Sequence, residues 1–498
     1  YSNANYQHAN TETVVGHTSL ATGTIPAVHG MVGNVWLDRD EGALLYNVED
    51  GRYELLTRGA GVDRSREIDP TQRVARSQGR SPASILTSTF SDQLAARYGE
   101  ESKIFAVSVK DRGAIPLAGS SGQAYWFSKA AGEFVTSSFY ADRYPDWVNE
   151  WNEAGKTKRY AGRSWTLLRP TEEYLFADED DRAWETDLAG FGRVFPHPWG
   201  DTTSKYFTTL LTVSPAGDEL TLDFARTLLL AEGLGKDGTP DYLSISFSST
   251  DYVGHIFGSS SLEMEDNLLH LDRTLAELFE FIDEEVGLKH TLIVLSADHG
   301  GPEVPGYLAE LGQSVEHVDP AIVSAETLNP LLRKQLSVDV DLVRSYYHPY
   351  VYLDREAVAG TQHSLELVRQ TVADRLMTLP EVSTAISASS IESGQLAEGP
   401  IPRFVANNHQ PKRSGDVYVV FRSQEFINDF DGLTVAATHG SPWRYDRYVP
   451  VVFAGRRLKG KRISRPVTPY DIAVTLSQAL GIVAPSGSIG EPLVEVVR

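Results

Sequence analysis

The 498-residue chain contains no cysteine. Disulfides, thiolate metal sites and cysteine nucleophiles are therefore excluded. The absence fits an exported protein and a cytosolic one equally. Positive charge is also scarce: 45 Lys and Arg stand against 67 Asp and Glu, a net charge of -22. A basic face forms poorly from such a balance, which argues against nucleic acid as a partner. A small anion is still open to capture by local cations or metals. No apolar run reaches the length of a membrane span, and no signal peptide is present. An initiator Met is missing as well. The opening Tyr1-Ser2-Asn3-Ala4-Asn5 reads as a processed or partial N-terminus. No internal repeat and no low-complexity tract occurs.

What is present is a globular composition, 41% hydrophobic, in a chain long enough for a large core with insertions. Residues 11–34 (TETVVGHTSLATGTIPAVHGMVGN) organise the reading. A polar run ends at Gly16 and His17, a helix-compatible apolar segment follows, and a turn leads to Asn34. This layout presents a hydroxyl, Thr13, at a helix N-terminus, where unpaired N–H groups favour an anion. Residues 83–98 carry Ile85, Leu86, Phe90, Leu94 and Ala95 at helical spacing, and 103–109 (KIFAVSV) reads as a strand. Residues 126–199 hold six of the eight tryptophans and read as an irregular insertion packed on the body. Residues 220–231 read as a helix and 242–249 as a buried strand. Leu268, Leu271, Leu275, Leu278 and Ile282 mark an amphipathic helix, and 291–297 the next strand, a pattern expected of a parallel βαβ unit. The fold class expected is α/β, a central mostly parallel sheet flanked by helices. Its core spans 1–300 and 416–498, with an aromatic-rich insertion at about 126–215 and an inserted cap subdomain at 301–415.

Asp251, His255, Asp298, His299 and His439 share one placement: each lies past a strand end or in a loop leading to a strand, the edge where open α/β sheets bind ligands. Asp with neutral imidazole suits Zn²⁺, and without cysteine the site is catalytic rather than structural. Two such ions about 4 Å apart clamp the attacking and leaving oxygens of a phosphoryl transfer. Taken singly, Asp298-His299-Gly300 reads as a capped strand end and His439 says nothing; the joint order is far more specific. Asn34 offers an amide donor for a phosphoryl oxygen. Lys110 and Arg112 point the same way if strand geometry persists, and otherwise read as a solvated basic turn. Asn428-Asp429-Phe430-Asp431-Gly432 resembles a calcium-loop fragment without the full spacing and reads as a turn. The acidic run 178–181 reads as a solvated loop.

Together these motifs resemble the alkaline phosphatase superfamily of two-zinc phosphoryl and sulfuryl transfer enzymes, and within it the monomeric bacterial alkaline phosphatases with a threonine nucleophile. The resemblance implies that Thr13, in its Thr-x-x-Gly-His setting, is the nucleophile. It assigns Asp251, His255 and His439 to one zinc and Asp298 and His299, with Thr13, to the other, and it leaves room for accessory Ca²⁺ or Mg²⁺. Lys110 and Arg112 then match the monoesterase branch and grip the terminal oxygens of the substrate, while His17 is structural. The family also places a further Asp on a strand upstream of the nucleophile. Residues 1–12 contain none, so that strand is expected outside the given sequence. The implied activity is hydrolysis of small phosphate monoesters through a phosphothreonine, by a monomer in the periplasm or medium. A phosphodiesterase or nucleotide pyrophosphatase of the same superfamily, and a non-catalytic protein on a degraded phosphatase fold, are the alternatives. A sulfatase is disfavoured, since no cysteine can become formylglycine.

Overall fold

The computed structural model describes every residue except Glu179, Ala189, Asp431, Arg457 and Arg498. Helix α1 (Thr13–Thr22) stops at Gly23, whose φ of 66° is a conformation that costs glycine little. The strand expected over 103–109 is β1 (Ile104–Ser108), buried along its whole length. It leads through α2 (Asp111–Ala118) to β2 (Gln123–Ser128), beside which β3 (Glu133–Val135) runs back. After α3 (Pro215–Glu232) come β4 (Tyr242–Ser246), α4 (Ser249–Phe257), α5 (Leu262–Glu285) and β5 (Leu292–Ser296). The sheet order is β3-β2-β1-β4, with β1 parallel to both neighbours. Phe105, Val107, Tyr125, Phe127, Phe224 and Val253 join the largest core cluster beneath this sheet.

The inserted segment builds its own antiparallel sheet. Strands β6 (Val343–Tyr347), β7 (Tyr350–Leu353), β8 (Val382–Ser387) and β9 (Val417–Phe421) take the order β6-β7-β9-β8. Helices α6 (Ala325–Leu336) and α7 (Leu365–Leu376) supply Leu328, Leu332, Val368 and Val372 to a separate apolar cluster with it. The chain then returns to the main body: β10 (Val451–Gly455) pairs antiparallel with β5, and α8 (Asp471–Leu480) closes the core. No helix among the described residues is long and apolar enough to cross a membrane.

Four sequence expectations are corrected. The helix expected over 83–98 begins only at Phe90, because Thr89 and Asp92 form a reciprocal capping box there, and Leu86 stays exposed. The aromatic insertion does not start at residue 126: Trp126 sits within β2, where it pairs with Ser108 and Val135. Its tryptophans pack inward, with Trp151, Trp165 and Trp199 buried in the main core, and none lines the large cavity described below. The boundary at 416 divides the cap sheet, since β9 hydrogen-bonds to β7 and β8. Finally, β4 and β5 do not pair as a βαβ unit. Among the described residues each is hydrogen-bonded along one edge only, and both are half-buried rather than buried. The upstream strand implied by the resemblance has no counterpart in residues 1–12, which supply only the two-residue strand Ala4–Asn5 against Tyr448–Val449.

Asp416 ties the cap to the core. Its carboxylate is buried and takes Arg355 and Arg369 of the cap on Oδ1, each at 2.9 Å, and Arg39 of the core on Oδ2 at 3.0 Å. Burial alone would raise this carboxyl, but the three guanidiniums outweigh it and hold the group below its ordinary range. A carboxyl lowered in this way stabilises the fold above its unfolded pKa and loses that contribution as pH falls through the lowered value. Asp416→Asn is therefore expected to cost about 3 kcal/mol at pH 7, because the buried Arg369 and the half-buried Arg39 lose their counter-charge. Urea unfolding should show the difference from wild type shrinking in acid; an unchanged midpoint at pH 7 would refute the role.

Candidate metal centre

The organising stretch docks through its smallest residue. Gly16 lies so close to the end of β5 that an added Cβ would sit 2.0 Å from the Asp298 carbonyl oxygen. Next to it, His17 places Nδ1 2.9 Å from the Thr13 carbonyl and 3.1 Å from Asp298 Oδ2, and Nε2 2.9 Å from Ser246 Oγ. One imidazole thus joins α1 to the ends of β4 and β5, a positioning task that agrees with its structural reading. Thr13 is the first residue of α1 rather than its cap; Glu12 holds the cap position. Thr13 is buried at the base of a cavity. Asn34 is pinned beside it: Oδ1 accepts from the Val14 N–H at 3.1 Å, its own N–H donates to Glu12 Oε2 at 3.0 Å, and its carbonyl accepts from Asn47 Nδ2 at 2.6 Å.

Asp251 occupies the first turn of α4 and His255 its last turn, one helical turn apart and so on one face. His299 follows β5, and His439 arrives from the loop before β10. Each imidazole donates through Nδ1 to a backbone carbonyl: His255 to Ala437 at 2.8 Å, His299 to Gly300 at 2.9 Å, and His439 to Thr11 at 2.9 Å. With Nδ1 committed in this way, all three Nε2 atoms turn toward Asp251, at 3.4 Å, 3.8 Å and 3.4 Å respectively, and His299 Nε2 also lies 3.2 Å from Asp298 Oδ2. The His299 and His439 rings stack with centroids 3.4 Å apart. His299 Nε2 is buried and makes no well-directed hydrogen bond, although the Asp298 carboxylate stands 3.2 Å away. Ligand atoms of Asp251, His299 and His439 lie within 4.8 Å of one another.

The charges oppose each other strongly. Burial would raise Asp251, but Lys110 and His255 hold it well below the carboxylate range; His299 and His17 do the same for Asp298. Burial works against the charged form of His299, yet Asp298 lifts it to about 9, while burial and His299 push His439 down to about 3. Two stacked imidazoles, one favouring charge and one rejecting it, with the Asp251 and Asp298 carboxylates facing His299 Nε2, form a donor set that fits a divalent metal.

The structure brings together every residue singled out from the sequence, with one correction. Strand geometry ends before Lys110, which caps α2, so Lys110 and Arg112 do not alternate along a strand. Lys110 Nζ pairs with Asp251 Oδ2 and lies 4.2 Å from the Tyr252 ring centre, whereas Arg112 reaches the cavity wall. His299 Nε2 lies 3.2 Å from Asp298 Oδ2, the pairing the resemblance implies, and 3.8 Å from Asp251 Oδ1, so its ligand atom also falls in one cluster with Asp251 and His439. In the calcium-like fragment the described residues form a turn, Asp429 Oδ1 accepting from Gly432 N–H at 2.7 Å; Asp431 lies outside the described residues, as does Glu179 of the acidic run. In that run Asp178 and Asp181 are exposed and Asp180 half-buried.

Sequence reasoning missed the supports of Arg112. Asp69 takes Arg112 Nη2 at 2.6 Å, and Glu67 takes Lys129 next to it. Burial would raise Asp69, and Arg112 with Lys129 lowers it further than burial raises it. The Asp69-Pro70 pair does signal a helix start, and Asp69 caps that turn, but nothing in the sequence places it against Arg112. Asp446 was missed too. It accepts from the N–H groups of Gly440 and Ser441 at 3.2 and 2.8 Å, which sets the turn behind His439, and burial raises its carboxyl to about 7.

The family model for type I phosphodiesterase / nucleotide pyrophosphatase matches residues 2–442. The chain is 32% identical to alkaline phosphatase PafA of Elizabethkingia meningoseptica over 99% of its own length and 87% of that protein's. It is 30% identical to alkaline phosphatase PhoV of Synechococcus elongatus, over 98% of this chain and 84% of that one. The crystal structure of wild-type PafA superposes with a TM-score of 0.89 at 30% identity, covering 100% of this chain and 92% of that chain. A solved PafA variant with the same figures is substituted at a threonine, at an asparagine twenty-one positions later, and at a lysine and an arginine two apart. The chain belongs to the type I phosphodiesterase / nucleotide pyrophosphatase family, within the alkaline phosphatase superfamily that its motifs resemble.

Proposed function

We propose that this chain is a zinc-dependent alkaline phosphatase that hydrolyses phosphate monoesters through a phosphothreonine at Thr13. The observation that carries the reading is the convergence of three anchored imidazoles on Asp251, beside a cavity walled by Thr13, Asn34 and Arg112. The names of PafA and PhoV support it. So does spacing: Thr13 and Asn34 stand twenty-one positions apart and Lys110 and Arg112 two apart, as do the substituted residues of the PafA variant. A monomeric state and export to the periplasm or medium belong to the same proposal and rest on the resemblance.

Asp251, His255 and His439 would hold one zinc ion and Asp298 and His299 the other, with Thr13 beside it. When bound, the ions supply Lewis acidity that polarises a phosphoryl group and favours ionisation of a hydroxyl near neutral pH. The chain supplies the rest. Thr13 Oγ1 attacks phosphorus in line with the leaving alcohol and carries the phosphoryl group until water takes it. Its place in the first turn of α1 sets free N–H groups and the positive end of the helix near the charge that develops. Asn34 has committed Oδ1 to Val14, which leaves its Nδ2 hydrogens for a phosphoryl oxygen. Arg112, locked by Asp69, presents fixed charge to the terminal oxygens, and Lys110 does so from the Asp251 side. A monoester has two charged terminal oxygens and a diester one, so this pair favours the monoester. Diester hydrolysis is the second reading, and the description of the matching family favours it.

Two outcomes check the assignment. Thr13→Ala should lower kcat/KM for p-nitrophenyl phosphate about 10³-fold or more without shifting the melting temperature; retention of activity would remove Thr13 from the mechanism. Arg112→Ala should lower monoester kcat/KM about 10- to 100-fold and affect bis(p-nitrophenyl) phosphate far less. An equal loss on both esters would make Arg112 a structural residue.

A further inference from the structure

The proposed chemistry uses only part of the cavity lining. The cavity measures about 510 Å³, the size of a site for a molecule much larger than a phosphoryl group. Thr13, Asn34, Arg112 and His439 are the lining residues that take part in that chemistry. The cap and the segment after it add aromatic side chains to the same lining: Tyr346, Phe421, Phe426 and Phe430. Phe421 and Phe426 are buried, so their rings are fixed by packing. Phe430 holds its ring centre 5.4 Å from that of His255, inclined at 59°. Tyr346 is steadied through its hydroxyl, 3.2 Å from His348 Nδ1, and His348 Nε2 in turn lies 3.1 Å from the Gly440 carbonyl, next to His439. The aromatic wall and the loop bearing His439 are thus linked side chain to backbone.

We propose that this wall is the leaving-group subsite and that the enzyme favours phosphate monoesters whose alcohol carries an aromatic ring. The inference rests on the phosphomonoesterase reading and adds the substrate class. Aromatic side chains accept a further ring in edge or offset contact, which gains more than the same apolar area of a saturated group. A short alkyl alcohol leaves the wall uncovered.

The test uses the zinc-loaded full chain and three esters of primary alcohols: 2-phenylethyl, 2-cyclohexylethyl and n-propyl phosphate. In each the oxygen is insulated from any ring by two carbons, so intrinsic leaving-group reactivity is matched. The expected kcat/KM for the phenylethyl ester is roughly tenfold above the propyl ester and about threefold above the cyclohexylethyl ester. Phe430→Leu should narrow the phenylethyl-to-propyl ratio about threefold. Equal values for phenylethyl and propyl esters, equal values for phenylethyl and cyclohexylethyl esters, or an unchanged ratio in Phe430→Leu would each overturn the subsite. Hydrolysis of none of the three would overturn the phosphomonoesterase reading itself, and the subsite with it.

Discussion

Three backbone carbonyls decide what this site can do. Ala437, Gly300 and Thr11 each take the Nδ1 hydrogen of one imidazole, and so turn the Nε2 atoms of His255, His299 and His439 toward the Asp251 carboxylate, with His299 Nε2 also facing Asp298. None of these carbonyls belongs to a residue with chemistry of its own. They are placed by the fold: the strand end at β5, the loop that wraps over α4, and the extended residues before α1. The metal site is in this sense a consequence of backbone positions, and the side chains read them out.

The same economy governs the rest of the site. His17 links the ends of β4 and β5 to α1, although these strands share no ladder, so the helix that carries Thr13 is registered against both. Asn34 caps that helix with its oxygen and keeps its amide hydrogens for a ligand. Asp69 fixes Arg112, and Asp446 fixes the turn behind His439. Buried carboxylates here are hydrogen-bonded or paired with cations, as buried charge demands. On the cap side, Asp416 binds Arg39 and His348 touches Gly440, so the aromatic wall of the cavity is held to the core at two separate points.

Much of this was legible in the sequence. The site residues stand at strand ends, where α/β sheets bind ligands, and their order along the chain was specific even though each motif alone was weak. Periodicity found β1, α3, β4, α5 and β5. It failed where local chemistry outweighs apolar spacing: Thr89 and Asp92 start a helix seven residues later than the pattern of Ile85 and Leu86 indicates. It also failed where a strand's partners are remote. Nothing in residues 417–421 tells a core strand from a cap strand, because both are buried and β-branched, and only the ladder to β7 and β8 decides it. Lys110 and Arg112 were found as a pair, but their separate directions depend on where the strand gives way to α2. The supporting roles of Asp69 and Asp446 left no signal beyond the helix start at Asp69, since one carboxylate in a polar loop looks like any other until the fold brings a cation or a turn against it.

The most direct measurement of the central claim is anomalous X-ray scattering at the zinc edge from crystals grown with zinc. One density peak should lie within coordination distance of Asp251 and of the Nε2 atoms of His255 and His439, and a second within that of Asp298 and of His299 Nε2. Zinc bound elsewhere, or these side chains hydrogen-bonded to one another with no peak among them, would contradict it.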